Sequence, residues 1–346
     1  MMLPKDIRQP RALNGSTNKA IEHRRFLCWC ALTFFAASLV AAAPDKIARI
    51  GIVSFGSPSP DYGPTQEVFR QTLRTLGWVE GQNVVFDYRW AEGSLDRLQD
   101  ISRQVVEDAP DVVYAITTPV AMAMRRATSN IPIVFTQVSD PVASGLVTSL
   151  GRPGRNVTGL TNMSPDLATK LLELLGEAVP KLSHVAVLWN STNAGKKLEM
   201  KEIEKAAGKL GIKVQSLEIQ SRDDVDRVLR TTPRGRGVAL MVLTDSLIFG
   251  TRETIVSVAS ANRLPTIFQT TKFVEGGGLM SYGINDLEMS RRAAVYVDKI
   301  LRGASPATLP VERPTTFELF INSRTAKALG LTLPQSLLVR ADKVIE

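Results

Sequence analysis

The sequence has few residues that carry covalent or metal chemistry. Its 346 residues include two cysteines and two histidines, and both cysteines, Cys28 and Cys30, lie within one apolar segment near the N-terminus. The chain beyond that segment therefore has no disulfide framework, no cysteine nucleophile and no cysteine metal site. Its one histidine, His184, precedes a predicted strand, at the sheet edge away from the expected ligand crevice, so we expect it to be structural.

Motifs that would indicate catalysis or nucleotide binding are missing as well. The sequence has neither a Gly-x-Gly-x-x-Gly fingerprint nor a phosphate-binding loop with its lysine. No Ser/His/Asp set can be assembled at one sheet edge, and no His/Cys/Asp cluster has metal-ligand spacing. We therefore predict binding without catalysis, and neither a cofactor nor a metal.

The positive charge is concentrated near the N-terminus. The formal net charge is +8, and residues 1–43 contribute +4 of it through six basic and two acidic side chains. The remaining chain carries only the other +4, which is a small excess for its length. It therefore gives no argument for a nucleic-acid partner.

The first 43 residues have the layout of an export signal. A basic stretch ends in Arg24-Arg25, an uncharged apolar run covers 26–40, and three alanines at 41–43 precede a charged segment. We predict a signal peptide over 1–43 and a periplasmic location. A membrane anchor is the alternative, because the uncharged run approaches the roughly 18 to 20 residues that span a bilayer. Cleavage can fall after Ala43 or Ala42, the paired arginines suggest twin-arginine export, and the start itself could be misassigned.

After Asp45, short apolar segments alternate with amphipathic ones. The first series predicts strands over 50–55, 84–88, 112–116 and 133–138, and helices over 64–76, 95–106, 121–127 and 142–150. Continuous apolar strands are typical of a parallel sheet that is covered on both faces. The pattern predicts an α/β fold with a doubly wound parallel-sheet lobe.

A second series of the same kind begins after residue 162. It continues through a predicted helix over 167–178 and a strand over 185–189, and tandem domains are one interpretation. The tail has too few elements for a third domain, so we predict that it returns to complete both lobes and makes a multi-strand hinge. The predicted division is 44–162 plus 281–315 for lobe 1, and 163–280 plus 316–346 for lobe 2.

Candidate ligand-binding residues lie where predicted strands end. Ligands of open parallel sheets collect at the carboxyl ends of the strands. Tyr62 lies in a loop rich in proline and glycine and is predicted to line a ligand, whereas Trp189, inside an apolar strand, is predicted to be core. The predicted ligand-binding residues are Ser54, Phe55, Tyr62, Thr117, Thr118, Gln137, Ser139, Asp140, Asn190, Asn193, Asp245 and Tyr282.

Several of these residues have a second interpretation as helix caps. Ser, Thr, Asp and Asn before a helix satisfy its free N–H groups whether or not a ligand is present. Thr117 and Thr118 precede Pro119, an arrangement suited to gripping an anion such as a carboxylate. Asp140 and Asp245 either cap helices or pair with the ammonium group of a ligand.

Several segments together carry a resemblance to a known family. They are 54–57 (SFGS), 76–83 (LGWVEGQN), 88–93 (YRWAEG), 139–142 (SDPV), 156–161 (NVTGLT), 278–283 (GLMSYG) and the ending 326–346. Over essentially the whole chain after residue 43, the sequence resembles the ABC transporter substrate-binding family with the type I periplasmic-binding fold. The resemblance implies two lobes that close on a small molecule and deliver it to an inner-membrane permease driven by an ATPase. Better-known relatives bind tryptophan or tyrosine.

The function predicted is that of a monomeric periplasmic receptor of an ABC importer. Its ligand would be an amino acid or another aromatic or carboxylate-bearing small molecule. An exported receptor that signals to a membrane kinase is the main alternative. A transcription regulator would need a DNA-reading helix pair before the first strand, where the export signal lies, and an enzyme lacks a catalytic set.

Overall fold

The protein is described by a computed structural model over residues 46–162 and 164–346, without the side chains of residues 164–166. The predicted signal segment 1–43, with Cys28 and Cys30, lies outside these residues. Within the described part, no helix combines the length and the apolar character that crossing a membrane requires.

The first sheet has five parallel strands in the order β2-β1-β3-β4-β5. The strands are β1 (Ala48–Ser54), β2 (Val84–Trp90), β3 (Val112–Ile116), β4 (Ile133–Val138) and β5 (Val157–Thr161). Helices α1 (Gly63–Thr75), α2 (Leu95–Glu107) and α3 (Thr118–Ala127) connect them. Every residue of β5, and nearly every residue of β1, β3 and β4, is buried, as the apolar runs predicted.

The second sheet repeats that order and extends it. Its seven strands run β12-β11-β10-β9-β8-β6-β7, and only the β10–β11 pair is antiparallel. The strands are β6 (His184–Asn190), β7 (Lys213–Ile219), β8 (Val238–Val242), β9 (Thr266–Phe268), β10 (Met280–Ile284), β11 (Phe317–Asn322) and β12 (Lys343–Ile345). The helices are α4 (Ser164–Ala178), α5 (Ala194–Leu210), α6 (Asp224–Leu229), α7 (Ser246–Phe249), α8 (Arg252–Ala261), α9 (Lys272–Glu275), α10 (Asp286–Leu301), α11 (Ser323–Leu329) and α12 (Gln335–Val339).

Helix α10 belongs to the first sheet although strand β10 belongs to the second. Met289, Tyr296 and Ile300 of α10 are buried in one cluster with Ile50 and Phe69 of the first sheet and its helix α1. The predicted boundary at residue 281 therefore moves, because β10 pairs with β9 and β11 and the chain crosses between Ile284 and Asp286. We call the first sheet with α1–α3 and α10 lobe 1, and the second sheet with its other helices lobe 2.

The chain crosses between the lobes more than once, as predicted for a multi-strand hinge. After β5 it enters lobe 2, after β10 it returns to lobe 1, and a segment around Glu312 leads back to β11. That last segment is tied to the end of β5, because the Glu312 N–H donates to the Gly159 carbonyl and the Thr161 N–H donates to the Glu312 carbonyl, both at 3.0 Å. These two crossings therefore lie side by side.

One predicted helix is absent from the described residues, the one over 142–150. The segment forms turns in which the Leu146 N–H donates to the Pro141 carbonyl at 2.9 Å. Gly145 then adopts a φ of 70°, which ends the helical direction after a single turn. The apolar spacing that suggested a helix instead places Leu146 and Val147 in the core of lobe 1.

Two further predictions on single residues agree with the structure. Trp189 is 6% exposed in the core of lobe 2, where its indole N–H donates to the Ser216 hydroxyl at 2.8 Å. His184 begins β6, at the sheet edge away from the crevice, and its Nδ1 lies 3.0 Å from the Ser183 Oγ.

Candidate functional site

A cavity of about 460 Å³ lies where the carboxyl ends of the two sheets face each other. Such a volume is within the range of small-molecule sites. Lobe 1 contributes residues that end or follow β1, β3 and β4, and lobe 2 contributes residues that follow β6, β8 and β9. These strand-end residues are Ser54, Thr117, Gln137, Ser139, Asn193, Thr244, Asp245 and Gln269.

Seven of the twelve predicted site residues line this cavity. They are Ser54, Tyr62, Thr117, Gln137, Ser139, Asn193 and Asp245. The strand-end rule brought them together from distant parts of the sequence and from both lobes.

Phe55, Tyr282 and Asp140 lie away from the cavity lining. Phe55 is buried in the core of lobe 1. The ring of Tyr282 stacks on Phe317, with centroids 5.7 Å apart, and packs against the core of lobe 2. The Asp140 carboxylate accepts from the N–H groups of Val142 and Ala143 at 3.0 and 2.9 Å, so it caps the turn that follows β4.

The other two predicted residues, Asn190 and Thr118, are buried next to residues that line the cavity. Asn190 is 1% exposed, and its amide donates to the Asp245 carboxylate at 2.7 Å. Thr118 is buried at the start of α3, and its hydroxyl oxygen lies 2.9 Å from the position that a Cβ on Gly195 would occupy. A glycine is therefore required there for lobe 2 to approach lobe 1 this closely.

Thr117 has a buried hydroxyl that finds no partner in the described structure. The residue precedes α3, lines the cavity, is 5% exposed and adopts a φ of 89°. A β-branched residue at positive φ is strained, and an unpaired buried hydroxyl costs further free energy. Such a combination is typical of a functional position.

A buried ionic network crosses between the lobes at the cavity wall. The Lys196 Nζ lies 2.7 Å from the Glu199 carboxylate, and both side chains are nearly inaccessible. Ser139 of lobe 1 donates to Glu199 at 2.6 Å, and Gln269 donates to it at 2.9 Å. The Gln269 side-chain oxygen in turn accepts from Lys196 at 3.2 Å and from the Thr244 N–H at 3.0 Å.

A second bridge joins the lobes beside the cavity. The Asp61 carboxylate of lobe 1 pairs with Arg252 of lobe 2 at 2.8 Å. Beside it the Tyr62 ring lies 5.4 Å from Phe249 of lobe 2 and 6.0 Å from Trp90 of lobe 1. These three rings line the cavity and form an aromatic wall made by both lobes.

The Tyr62 phenol stays protonated at any ordinary pH. Burial, and after it the carboxylates of Asp286, Asp245 and Asp61, raise its pKa to about 12, although Arg252 opposes the shift. Tyr62 therefore presents a neutral hydroxyl to the cavity, which can both donate and accept a hydrogen bond.

Asp286 is a carboxylate of the cavity lining with a raised pKa. It is the first residue of α10 and lines the cavity. Desolvation by burial, with a smaller contribution from the Glu318 carboxylate, raises its pKa to about 6, while a hydrogen bond with the Gln137 side chain acts in the opposite direction. Its surface is still partly accessible, which is consistent with a carboxylate that opens into a cavity rather than to bulk solvent.

The sequence reasoning missed Asp286, Gln269 and the Lys196–Glu199 pair. Gln269 directly follows β9, so the strand-end rule could have found it. Lys and Glu three residues apart on a helix ordinarily indicate a solvated surface pair, and Asp286 after Asn285 resembles a simple helix start. Across the described residues, no group of three or more His, Cys, Asp or Glu side chains could hold a metal ion.

Comparisons with known proteins agree with the two-lobed site. Residues 50–345 match the family model described as ABC transporter substrate binding protein, so the chain belongs to the ABC transporter substrate-binding protein family. A tyrosine-binding protein from Clostridioides difficile (strain R20291) is 32% identical over 273 residues, 79% of this chain and 78% of that protein. The predicted family is therefore confirmed.

Solved structures also match over most of the chain. The ABC domain in complex with L-Trp from Streptococcus pneumonia is 29% identical, with a TM-score of 0.81, over 86% of this chain and 99% of that one. The ligand-free, open structure of a substrate-binding protein from Clostridium difficile is 31% identical, with a TM-score of 0.64, over the same shares. Sugar-binding proteins and a repressor at 13–15% identity share the fold alone, and the predicted type I periplasmic-binding fold is confirmed.

The two TM-scores carry information on the arrangement of the lobes. The sequence identities are nearly equal, yet the ligand-bound relative superposes much better than the open one. The contacts across the cavity, from Ser139 to Glu199 and from Asp61 to Arg252, fit a closed arrangement.

Proposed function

We propose that this protein is the extracytoplasmic receptor of an ABC importer and binds an aromatic amino acid between its lobes. The observation that carries the proposal is the cavity between the lobes, which combines an aromatic wall from Tyr62, Trp90 and Phe249 with strand-end polar groups of both lobes. Relatives at about 30% identity are named for binding tyrosine or were solved with L-Trp. The receptor acts as a monomer, without catalysis.

The mechanism follows from the position of the cavity. Ligand contacts with Thr117 and Gln137 on lobe 1 and with Asn193 and Asp245 on lobe 2 exist together only when the lobes meet. A ligand that makes both sets of contacts stabilises the closed form by its difference in affinity for the two forms. The permease then recognises the closed form and receives the ligand.

The test uses the full chain expressed in a bacterium and recovered from the periplasm by osmotic shock. Mass spectrometry of the recovered protein locates the cleavage site, expected after Ala42 or Ala43. Thermal shift against amino acids, aromatic acids, nucleosides and sugars follows. A ligand at 100 times its dissociation constant adds about 2.7 kcal/mol to the free energy of unfolding. We expect L-tyrosine or L-tryptophan to give the largest shift, and protein found only in the cytoplasm would contradict the proposed location.

A further inference from the structure

One contact between the lobes lies at the edge of the ligand cavity. The Asp61 carboxylate of lobe 1 pairs with the Arg252 guanidinium of lobe 2 at 2.8 Å. Asp61 lines both the ligand cavity and a second cavity of about 230 Å³, whereas Arg252 lines only the second one. The ion pair therefore lies where the two cavities meet, and Arg252 is outside the lining of the ligand cavity. We call this ion pair the clasp.

The lobe 1 half of the clasp is oriented by its own neighbours. The Ser59 hydroxyl donates to the Asp61 carboxylate at 3.1 Å and accepts from the Asp61 N–H at 3.3 Å. Pro58 and Pro60 restrict the backbone on both sides of Ser59. None of these constraints comes from lobe 2, so lobe 1 presents an oriented carboxylate whether or not the lobes meet.

The lobe 2 half of the clasp is oriented in the same way. Arg252 is the first residue of α8, and its guanidinium lies over the Phe249 ring, 5.1 Å from the ring centroid. Phe249 packs edge-on against the buried Phe273, with centroids 6.3 Å apart. A cation over an aromatic face is stabilised by the charge distribution of the ring. Because both halves are oriented in advance, little conformational freedom is lost when they pair.

The contacts beside the clasp join the same two surfaces. Tyr62, the residue after the acidic partner, places its ring 5.4 Å from Phe249, the ring on which Arg252 lies. Earlier in the same loop of lobe 1, the Ser57 hydroxyl accepts from the Arg222 guanidinium of lobe 2 at 3.5 Å. The loop therefore reaches lobe 2 at three points, and each contact is made between protein groups alone.

The environment of the clasp gives it a moderate strength. The side chains of Asp61 and Arg252 are 24% and 26% exposed. Partly shielded charges are screened by salt less than exposed ones, and they still respond to it. Because the pair joins the two lobes, its stabilisation is lost when the lobes separate.

We propose that Arg252 is a positioning residue for closure. Paired with Asp61, it holds the lobes together independently of any ligand and slows the release of a ligand that it does not contact. The inference goes beyond the proposed function, in which ligand contacts stabilise the closed form, and only its effect on release rests on that function. The closed form is then populated before a ligand arrives.

The test measures the distance between the lobes in the ligand-free protein. Cys28→Ala and Cys30→Ala remove the two native cysteines. Gln99→Cys on α2 and Lys201→Cys on α5, both at exposed positions of different lobes, then carry spin labels. Double electron–electron resonance gives the populations of the closed and open forms.

The variants remove either partner of the clasp without changing its size. They are Arg252→Gln and Asp61→Asn, singly and together. The control is Arg230→Gln, because Arg230 pairs with Asp226 of its own lobe at 2.7 Å. Melting temperatures check that every variant stays folded.

The two single variants are expected to open the ligand-free protein to the same extent. Each lowers the ratio of closed to open protein about fivefold. The double variant lowers it no further, because both changes remove one contact. Arg252→Lys falls between wild type and Arg252→Gln, since it keeps the charge and loses the planar guanidinium. Added salt opens wild-type protein more than it opens the variants, and Arg230→Gln behaves as wild type.

Ligand kinetics supply a second readout, with L-tryptophan and L-tyrosine as the probes. Stopped-flow measurements should show that each ligand leaves Arg252→Gln about fivefold faster than wild type. The association rate should change by less than about twofold, because the encounter with the open form does not involve the clasp.

The outcomes separate this proposal from the proposed function. Equal distance distributions in wild type and both single variants, or additive effects in the double variant, overturn the clasp. If the variants open the ligand-free protein but no compound binds wild type, the proposed function fails and the clasp stands. If a ligand binds and leaves all variants at the wild-type rate, the receptor function stands and the effect on release is overturned.

Discussion

The two walls of the cavity satisfy their polar groups in different ways. On lobe 2, Glu199 is held by Lys196, Gln269 and Ser139, the last from across the cavity. On lobe 1, the Thr117 hydroxyl has no partner, and Asp286 faces a second carboxylate. The Glu199 carboxylate of lobe 2 is therefore compensated by a cation of its own helix, whereas the Asp286 carboxylate of lobe 1 faces another carboxylate. Both lobes place a buried hydroxyl without a partner at the cavity, that of Thr117 on lobe 1 and that of Thr244 on lobe 2.

This difference follows from where each lobe places its helices. Helix α5 of lobe 2 carries its ionic pair Lys196–Glu199 into the interface, so the pair is built from one helix and needs no ligand. In lobe 1, the cavity is lined by Thr117, which precedes α3, and by Asp286, the first residue of α10.

The largest expected effect comes from removing one partner of the buried Lys196–Glu199 pair. Glu199→Ala leaves the Lys196 ammonium buried without its counter-charge, and we expect the free energy of unfolding to fall by about 3 to 5 kcal/mol. Urea denaturation measures the loss. Glu173→Ala, which removes a solvated pair with Lys170, should cost about 1 kcal/mol or less. Equal losses in the two variants would show that the network on lobe 2 does not stabilise the fold.

The sequence predicted most of this fold because buried strands and amphipathic helices leave a periodic signal. The predicted strand over 112–116 coincides with β3, and the predicted helix over 95–106 differs from α2 only in its last residue. The helix predicted over 142–150 was wrong because the positive φ of Gly145 ends the helical direction after one turn. The apolar residues that suggested the helix are nevertheless buried in the core. Apolar spacing reports burial, and it indicates a helix only where the backbone permits one.

The site was predictable to the extent that strand ends define it. Ser139 and Asp245 were found because they follow strands of the two sheets. Tyr282 was misplaced because side chains alternate along a strand, and it is the next residue, Gly283, that lines the cavity. Asp286 follows a strand of one sheet yet starts a helix of the other lobe, and a single sequence does not show that crossing.

The unpaired state of the Thr117 hydroxyl can be tested without any ligand. Thr117→Val replaces an unpaired buried hydroxyl by a methyl group, so we expect the ligand-free protein to gain stability, by about 1 to 3 kcal/mol. Thr158→Val is the matched control, because the Thr158 hydroxyl is also buried but donates to the Leu309 carbonyl at 2.6 Å. That control should lose about 1 kcal/mol. Destabilisation of both variants would show that the Thr117 hydroxyl is satisfied.

The close approach of the two lobes can be tested at Gly195 of lobe 2. A Cβ at Gly195 would lie 2.9 Å from the Thr118 hydroxyl oxygen and 3.0 Å from that of Ser139, both on lobe 1. Gly195→Ala should therefore oppose closure and weaken ligand binding about tenfold, with little loss of stability in either lobe. Gly208→Ala, on the same helix with open space around it, should leave binding unchanged and add up to about 1 kcal/mol of stability. Unchanged affinity in Gly195→Ala would mean that this contact does not limit closure.

The smallest expected effect is a pH dependence that belongs to lobe 1. Burial raises the pKa of Asp286 from its ordinary value of 3.8 to about 6. Between these two pH values, the folded, ligand-free protein holds a proton on Asp286 that the unfolded chain has already lost. Its contribution to stability is complete below the unfolded pKa and is lost as the pH rises through about 6. The melting temperature of wild-type protein minus that of Asp286→Asn should therefore fall as the pH is raised from about 4 to about 7. Glu318, Tyr62 and Tyr114, which lie near Asp286, are present in both proteins, so the difference reports Asp286. A difference that rises over this range would mean that a cationic group of the protein already compensates Asp286. The contrast between Asp286 on lobe 1 and Glu199 on lobe 2 would then disappear.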